Sequence, residues 1–272
     1  MKSMTSRILL CFVLFSALIC VGCGEPFDPP AVIKTFRFLG IKADPLESAP
    51  GEEITFSALV VNSDGSIYEG PVAWAVVGSD ALRLEGEVTF NPEDAFLQPD
   101  PETPFVWTVP TEDAEGFRLG ELDENGILLT IGAAAFPDGN MEKEPIIAYK
   151  TFVVSHRAVE NRRINPELEN FSVRTGGSAL RPGDDGVYRT TANKVNIKAH
   201  TDPLPNDLTF HWFAGEDEFE PDFGAKQDFE PDGEGAYEVY CVIRKKHYFQ
   251  QTNNSQTLFS GIDWRSVKIT FE

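Results

Sequence analysis

The chain has 272 residues, 42% of them apolar, and its 23 Lys+Arg against 43 Asp+Glu give a formal net charge of −20 at pH 7. That apolar share excludes a chain disordered throughout and supplies enough material for two ordinary cores. A negative charge of this size repels nucleic acid and anionic headgroups alike, so no nucleic-acid partner is expected.

The first 22 residues read as an export signal. Lys2 and Arg7 precede an uncharged apolar run from Ile8 to Gly22, 15 residues long, which fits a signal-peptide core and falls short of the roughly 20 residues needed to span a bilayer. No later segment is long and apolar enough for a second span. The run ends in Cys20-Val21-Gly22-Cys23, which resembles the lipobox of bacterial lipoproteins, where a small residue precedes a cysteine that takes a lipid on its sulfur and becomes the new N-terminus. Cys23 is therefore the expected lipidation site, a diacylglyceryl and palmitate anchor into the membrane, with residues 23–32 as the tether and Asp28-Pro29-Pro30 stiffening it. Ordinary signal cleavage is the alternative. A redox or metal C-x-x-C is disfavoured, because one of its sulfurs lies in the segment to be removed. Loss of Lys2 and Arg7 with no acid takes the mature part from −20 to about −22. Cys11 and Cys20 leave with the signal, so Cys241 stands alone, alternating with Tyr237, Val239 and Ile243 as a core thiol on a strand.

Beyond the tether, strand signals recur and helical periodicity is nearly absent. Residues 54–61 alternate, with Ile54, Phe56, Ala58 and Val60 on one face; 72–77, 105–109, 127–136 and 146–154 follow, separated by turns such as Ser63-Asp64-Gly65 and Pro137-Asp138-Gly139-Asn140. A second set at 171–173, 194–200, 208–214, 236–246 and 264–271 repeats the order. Phe56 and Ile197 sit 141 apart and Trp74 and Trp212 sit 138 apart, a near-constant offset that predicts a tandem repeat of one all-β sandwich. The first copy is expected at 33–157, a linker at 158–164 and the second copy at 165–272. Between Trp74 and the late strand the first copy carries an acidic insertion, 78–125, with 13 acids against Arg83 and Arg118. Long connections on a sandwich are more often binding loops than core. The join carries a basic cluster, Arg157, Arg162 and Arg163. It reads as a solvated linker or a strip pairing with acids on a neighbouring domain, with an anionic partner as the alternative.

The stretch 37–61, RFLGIKADPLESAPGEEITFSALVV, resembles the opening of immunoglobulin-like domains in outer-envelope lipoproteins of myxobacteria and their relatives, and 165–173 resembles the start of their second domain. The resemblance implies two tandem immunoglobulin-like β-sandwiches on a lipid tether and brings no catalytic or ligand residues. Trp74 and Trp212 resemble the core tryptophan of such sandwiches; the usual partner disulfide is missing, so apolar packing must replace it.

Chemistry is sparse. No G-x-S-x-G, H-E-x-x-H or G-x-x-x-x-G-K-[ST] occurs, so no enzyme is expected, and the four histidines read as structural. The stretch 121–126 begins like a calcium loop, but its twelfth position is Gly132 rather than Glu. A better candidate for Ca²⁺ is the turn 216–235, where Glu216, Asp217, Glu218, Glu220, Asp222, Asp228, Glu230 and Asp232 crowd together. A hard cation would relieve their repulsion; plain solvation of an acidic turn is the other reading. Phe219, Phe223 and Phe229 in the same turn are expected to pack under the sandwich end.

Together these readings describe a membrane-anchored envelope lipoprotein acting as a non-catalytic structural or protein-interaction module. The outer membrane is favoured because Gly24, not Asp, follows the anchored cysteine. The partner is expected to be an envelope protein or a glycan. The alternative, a carbohydrate-binding or adhesion subunit, needs a tryptophan outside the core, and Trp107 and Trp264 are the two to inspect.

Overall fold

Alternating apolar and polar residues leave a strand one oily face to bury, and the stable solution is a second sheet laid against it. A computed structural model describes residues 35–77, 96–98, 104–111, 122, 126–201, 208–215, 224–250 and 256–272, and shows that solution twice.

In the first sandwich one sheet joins β1 (Arg37–Asp44), β3 (Glu53–Val61) and β6 (Phe105–Thr108). The other runs in the order β2 (Glu47–Ser48), β8 (Ile146–Val154), β7 (Ile127–Ala135), β4 (Val72–Val77), β5 (Phe96–Gln98). The chain crosses from the first sheet to the second at Pro45, and β2 then pairs parallel to β8. In the second sandwich one sheet has the order β10 (Ser178–Ala179), β9 (Leu168–Thr175), β12 (Val195–Thr201), β14 (Lys226–Phe229). Its partner sheet has the order β11 (Tyr188–Thr190), β16 (Gln256–Phe271), β15 (Gly235–Gln250), β13 (Leu208–Phe213), again with a short strand, β11, parallel to the last one. The same topology in both halves makes the chain a tandem of immunoglobulin-like β-sandwiches. Phe56 and Ile197 fall on equivalent strands, as do Trp74 and Trp212.

Each core is built around its tryptophan. Trp74 stacks on Phe105 at 5.9 Å between ring centroids, and Phe56 lies against both Trp74 and Phe152. Phe56 and Phe152 are fully buried, contributing roughly 1.5–3 kcal/mol each by leaving water. In the second core Trp212 donates its indole N–H to the Gly224 carbonyl at 3.1 Å and packs near Phe171. Apolar and aromatic packing thus occupies the place of the missing disulfide. The stretch 78–125 is not all insertion: it contains β5 and the core strand β6, and among its remaining residues only 104, 109–111 and 122 are described. Phe229 is buried as expected, whereas Phe219 and Phe223 lie outside the described residues.

Candidate functional site at the seam between the sandwiches

The expected inward residues of β3 are inside, but so are Leu59 and Val61, which alternate to its other face. They meet Leu39 of β1 and, from the second sandwich, Phe213, Tyr240, Val242 and Ile262. These residues point away from the second core formed by Trp212, Val239, Cys241 and Ile243. The outer face of β1-β3-β6 therefore lies on the outer face of β16-β15-β13, and both sandwiches belong to one compact unit, 31–272. The contact is close: a Cβ placed on Gly40 would come within 2.9 Å of Ile262 Cδ1, and one on Gly65 within 2.7 Å of the Gly215 Cα.

The hairpin β15–β16 extends this contact. Its strands pair from Gly235↔Phe271 to Gln250↔Gln256, while β13 accompanies β15 only as far as Lys245. The outer part lies on the first sandwich, with Phe249 and Phe259 buried against Leu46, Leu128 and Val153.

Polar groups fasten the joint. Glu47, wholly buried, accepts hydrogen bonds from Ser155 Oγ at 2.6 Å and from the Arg163 backbone N–H and guanidinium, each at 2.9 Å, with Arg157 3.7 Å away. Burial alone would raise this carboxyl; the bonds from Ser155 and Arg163 and the Arg163 charge outweigh it, and the net direction is down. Arg163 also lies over the rings of Phe249 and Phe259 at 5.7 and 5.8 Å. Glu52 takes Arg162 in a two-pronged pair at 2.6 and 3.1 Å and accepts the Ala49 N–H, and the Arg162 bond leads in lowering its carboxyl to about 2. The basic cluster at the join is thus matched to acids of the first sandwich. Asn165 donates to the Ala43 carbonyl at 2.6 Å and accepts the Ile262 N–H at 3.1 Å, stapling β1 to β16. Lys42 pairs with Asp263 at 3.0 Å. Lys150, buried in the first sandwich, donates to the Ser260 carbonyl of the second. Desolvation, with the nearby Arg244 charge second, lowers its ammonium pKa to about 7.

A cleft of about 690 Å³ opens along this seam, lined among others by Lys42, Asp44, Glu167, Asp263, Trp264 and Arg265. Trp264 is half-buried, resting against the bare backbone of Gly40. Trp107, also half-buried, packs against Phe152 at 5.8 Å and serves the first core. Of the two tryptophans singled out by sequence, Trp264 lines this cleft.

The other predicted positions are dispersed. Cys23 lies outside the described residues, as do Glu216, Asp217, Glu218, Glu220 and Asp222. Asp228 is held by Asn196 at 2.8 Å and Lys194 at 2.9 Å, with Asn196 leading in lowering its carboxyl; Glu230 accepts from Asn193 at 3.2 Å, and Asp232 is exposed. Among the described residues no group of three or more His, Cys, Asp or Glu side chains gathers around one point. Cys241 is a buried free thiol, pushed well above its ordinary pKa by burial. His200 contacts Ser172 Oγ at 3.0 Å and His247 the Ile164 carbonyl at 3.1 Å.

Sequence reading missed the roles of Glu47, Lys150 and Asn165. One signal was available: ALVV in β3 and VYCVI in β15 are continuous apolar runs, the pattern of a strand buried on both faces.

No protein-family model matches the chain, and no curated protein matches it either. Among solved structures it is similar to the fibronectin(III)-like modules of Clostridium thermocellum CbhA, at 12% identity and TM-score 0.25, over 86% of this chain and 94% of that one. It is similar also to the D0-D1 domain of intimin, at 9% identity and TM-score 0.25, over 86% and 99%. Dimeric latent PorU from Porphyromonas gingivalis matches at 9% identity and TM-score 0.22, over 89% of this chain and 24% of that one. Likenesses at these TM-scores carry no argument, and the strand order alone establishes the fold.

Proposed function

We propose that the chain is a lipid-anchored, non-catalytic module of a bacterial envelope, held at the outer membrane through Cys23 and presenting two immunoglobulin-like sandwiches as one rigid body to an envelope partner. The observation that carries this reading is the seam. A flexible pair of domains has no use for a fully buried carboxylate shared with the linker, nor for a hairpin that leaves its own sandwich to cover the other. Such devices fix the distance and angle between two surfaces, which is what a spacer or docking module needs.

The anchor is tested by replacing the lipid acceptor. In Cys23→Ala the protein is expected to leave the membrane fraction and to lose incorporation of labelled palmitate; unchanged partitioning would defeat the lipoprotein reading. A second reading, a carbohydrate-binding or adhesion subunit, is favoured by one observation: Trp264 lines the seam cleft.

A further inference from the structure

We propose that the cleft beside Trp264 is a saccharide-binding site, a step that rests on the second reading above and gives it a site and a ligand class. The cleft lies at a domain boundary, where ligand sites concentrate, and its volume of about 690 Å³ falls within the roughly 300–1,000 Å³ of small-ligand pockets. One wall is the half-buried indole of Trp264, packed against Gly40 and the apolar seam, and aromatic surface of this kind suits the C–H groups of a pyranose ring. The rest combines Pro45, Leu46, Ile164 and Pro166 with charged groups of both signs. Lys42, Arg265, Asp44 and Glu167 line the same cleft as the indole, and sugar hydroxyls both donate and accept, so one ring can engage carboxylates and cations together.

Two of these groups are uncommitted. Among the described residues the side chains of Glu167 and Arg265 are exposed and make no hydrogen bond or ion pair, whereas Lys42 and Asp263 are spent on each other and Asp263 also accepts the Leu168 N–H. A peptide fits less well. A strand added here would need free backbone groups, but the Ala43 carbonyl and Ile262 N–H at this edge are taken by Asn165, and a proline-rich segment would need several aromatic rings where the lining has one.

The experiment is calorimetric titration of the mature protein with chitotetraose, cellotetraose and maltotetraose, and with a proline-rich peptide as the rival probe, alongside intrinsic fluorescence. The expected result is saturable binding of at least one oligosaccharide with a Kd of about 1 mM or tighter, accompanied by a change in tryptophan emission. In Glu167→Ala/Arg265→Ala, which touches no structural bond, affinity is expected to fall about tenfold with an unchanged melting temperature. Trp264→Phe is expected to abolish the fluorescence response while leaving the sandwiches folded. No saturable binding of any sugar up to about 10 mM, binding that both variants leave intact, or binding of the peptide alone would each overturn the proposal. None of these outcomes bears on the anchor, which membrane partitioning tests separately.

Discussion

A carboxylate taken wholly out of water costs several kcal/mol unless its oxygens are met by donors, and Glu47 is met by residues 108 and 116 positions further along the chain. Removing one side of such a pair strands the other. Glu47→Ala is therefore expected to lower the unfolding free energy by about 3–5 kcal/mol, read from urea unfolding at pH 7. Acid should act on the same joint. Glu47 and Glu52 both sit below their ordinary value of 4.5, Glu52 at about 2. The unfolded chain then takes up protons first, so the stability they contribute is complete above about pH 4.5 and is lost as pH falls towards 2.

Lys150 has the opposite linkage. Its folded pKa of about 7 lies below the unfolded 10.5, so between those values the unfolded chain holds the extra proton and stability rises with pH, by up to about 1.4 kcal/mol per unit. Comparing urea midpoints at pH 7 and pH 9 checks this. Wild type should gain stability over that interval and Lys150→Met should lose the gain; an equal rise in both would assign it to other groups. None of these three residues announces itself in the sequence. Glu47 stands in PLESAP, which reads as a turn, and its importance depends on an arginine that only the folded chain brings near.

At the scale of elements, the hairpin β15–β16 links the halves, and here legibility divides cleanly. Residues 236–246 and 264–271 alternate around Cys241 and Ile269, so they read as strands from local pattern alone. The outer part, with Phe249 and Phe259, does not: KKHYFQ and QTLFSG contain one or two large apolar residues each, and what buries them is Leu46, Leu128 and Val153 of the other sandwich. Periodicity reports that a residue seeks cover and is silent on which distant element provides it. Phe259→Ala is expected to cost about 3 kcal/mol, and hydrogen exchange should quicken in β2 and the hairpin tip while the core amides of β12 stay protected. Faster exchange throughout would mean that the hairpin supports the second core as well.

Over the whole molecule, the tandem was legible because Trp74 and Trp212 mark equivalent strands, while the candidate cleft was only half legible. Trp264 was open to suspicion as a tryptophan outside the core pattern, but Lys42, Glu167 and Arg265 come from three separate parts of the chain. Two sandwiches that share an apolar face and a buried ion pair should unfold together. Calorimetry of the wild type is expected to give one transition whose calorimetric and van't Hoff enthalpies agree, and Arg163→Ala to split it into two. Two transitions in the wild type would show that the seam is too weak to couple the domains.

The pairing of Lys42 with Asp263, partners separated by 221 positions, also sets an order of events during synthesis. The first sandwich has its full set of strands once Val154 has emerged, yet Leu39, Leu59 and Val61 stay uncovered until β15 and β16 follow. A nascent chain, made from its N-terminus, thus passes through an interval with a folded, sticky half-molecule, the surface that holdase chaperones recognise. Chains stalled after residue 160 should bind a hydrophobic dye and a holdase chaperone, and the finished protein neither.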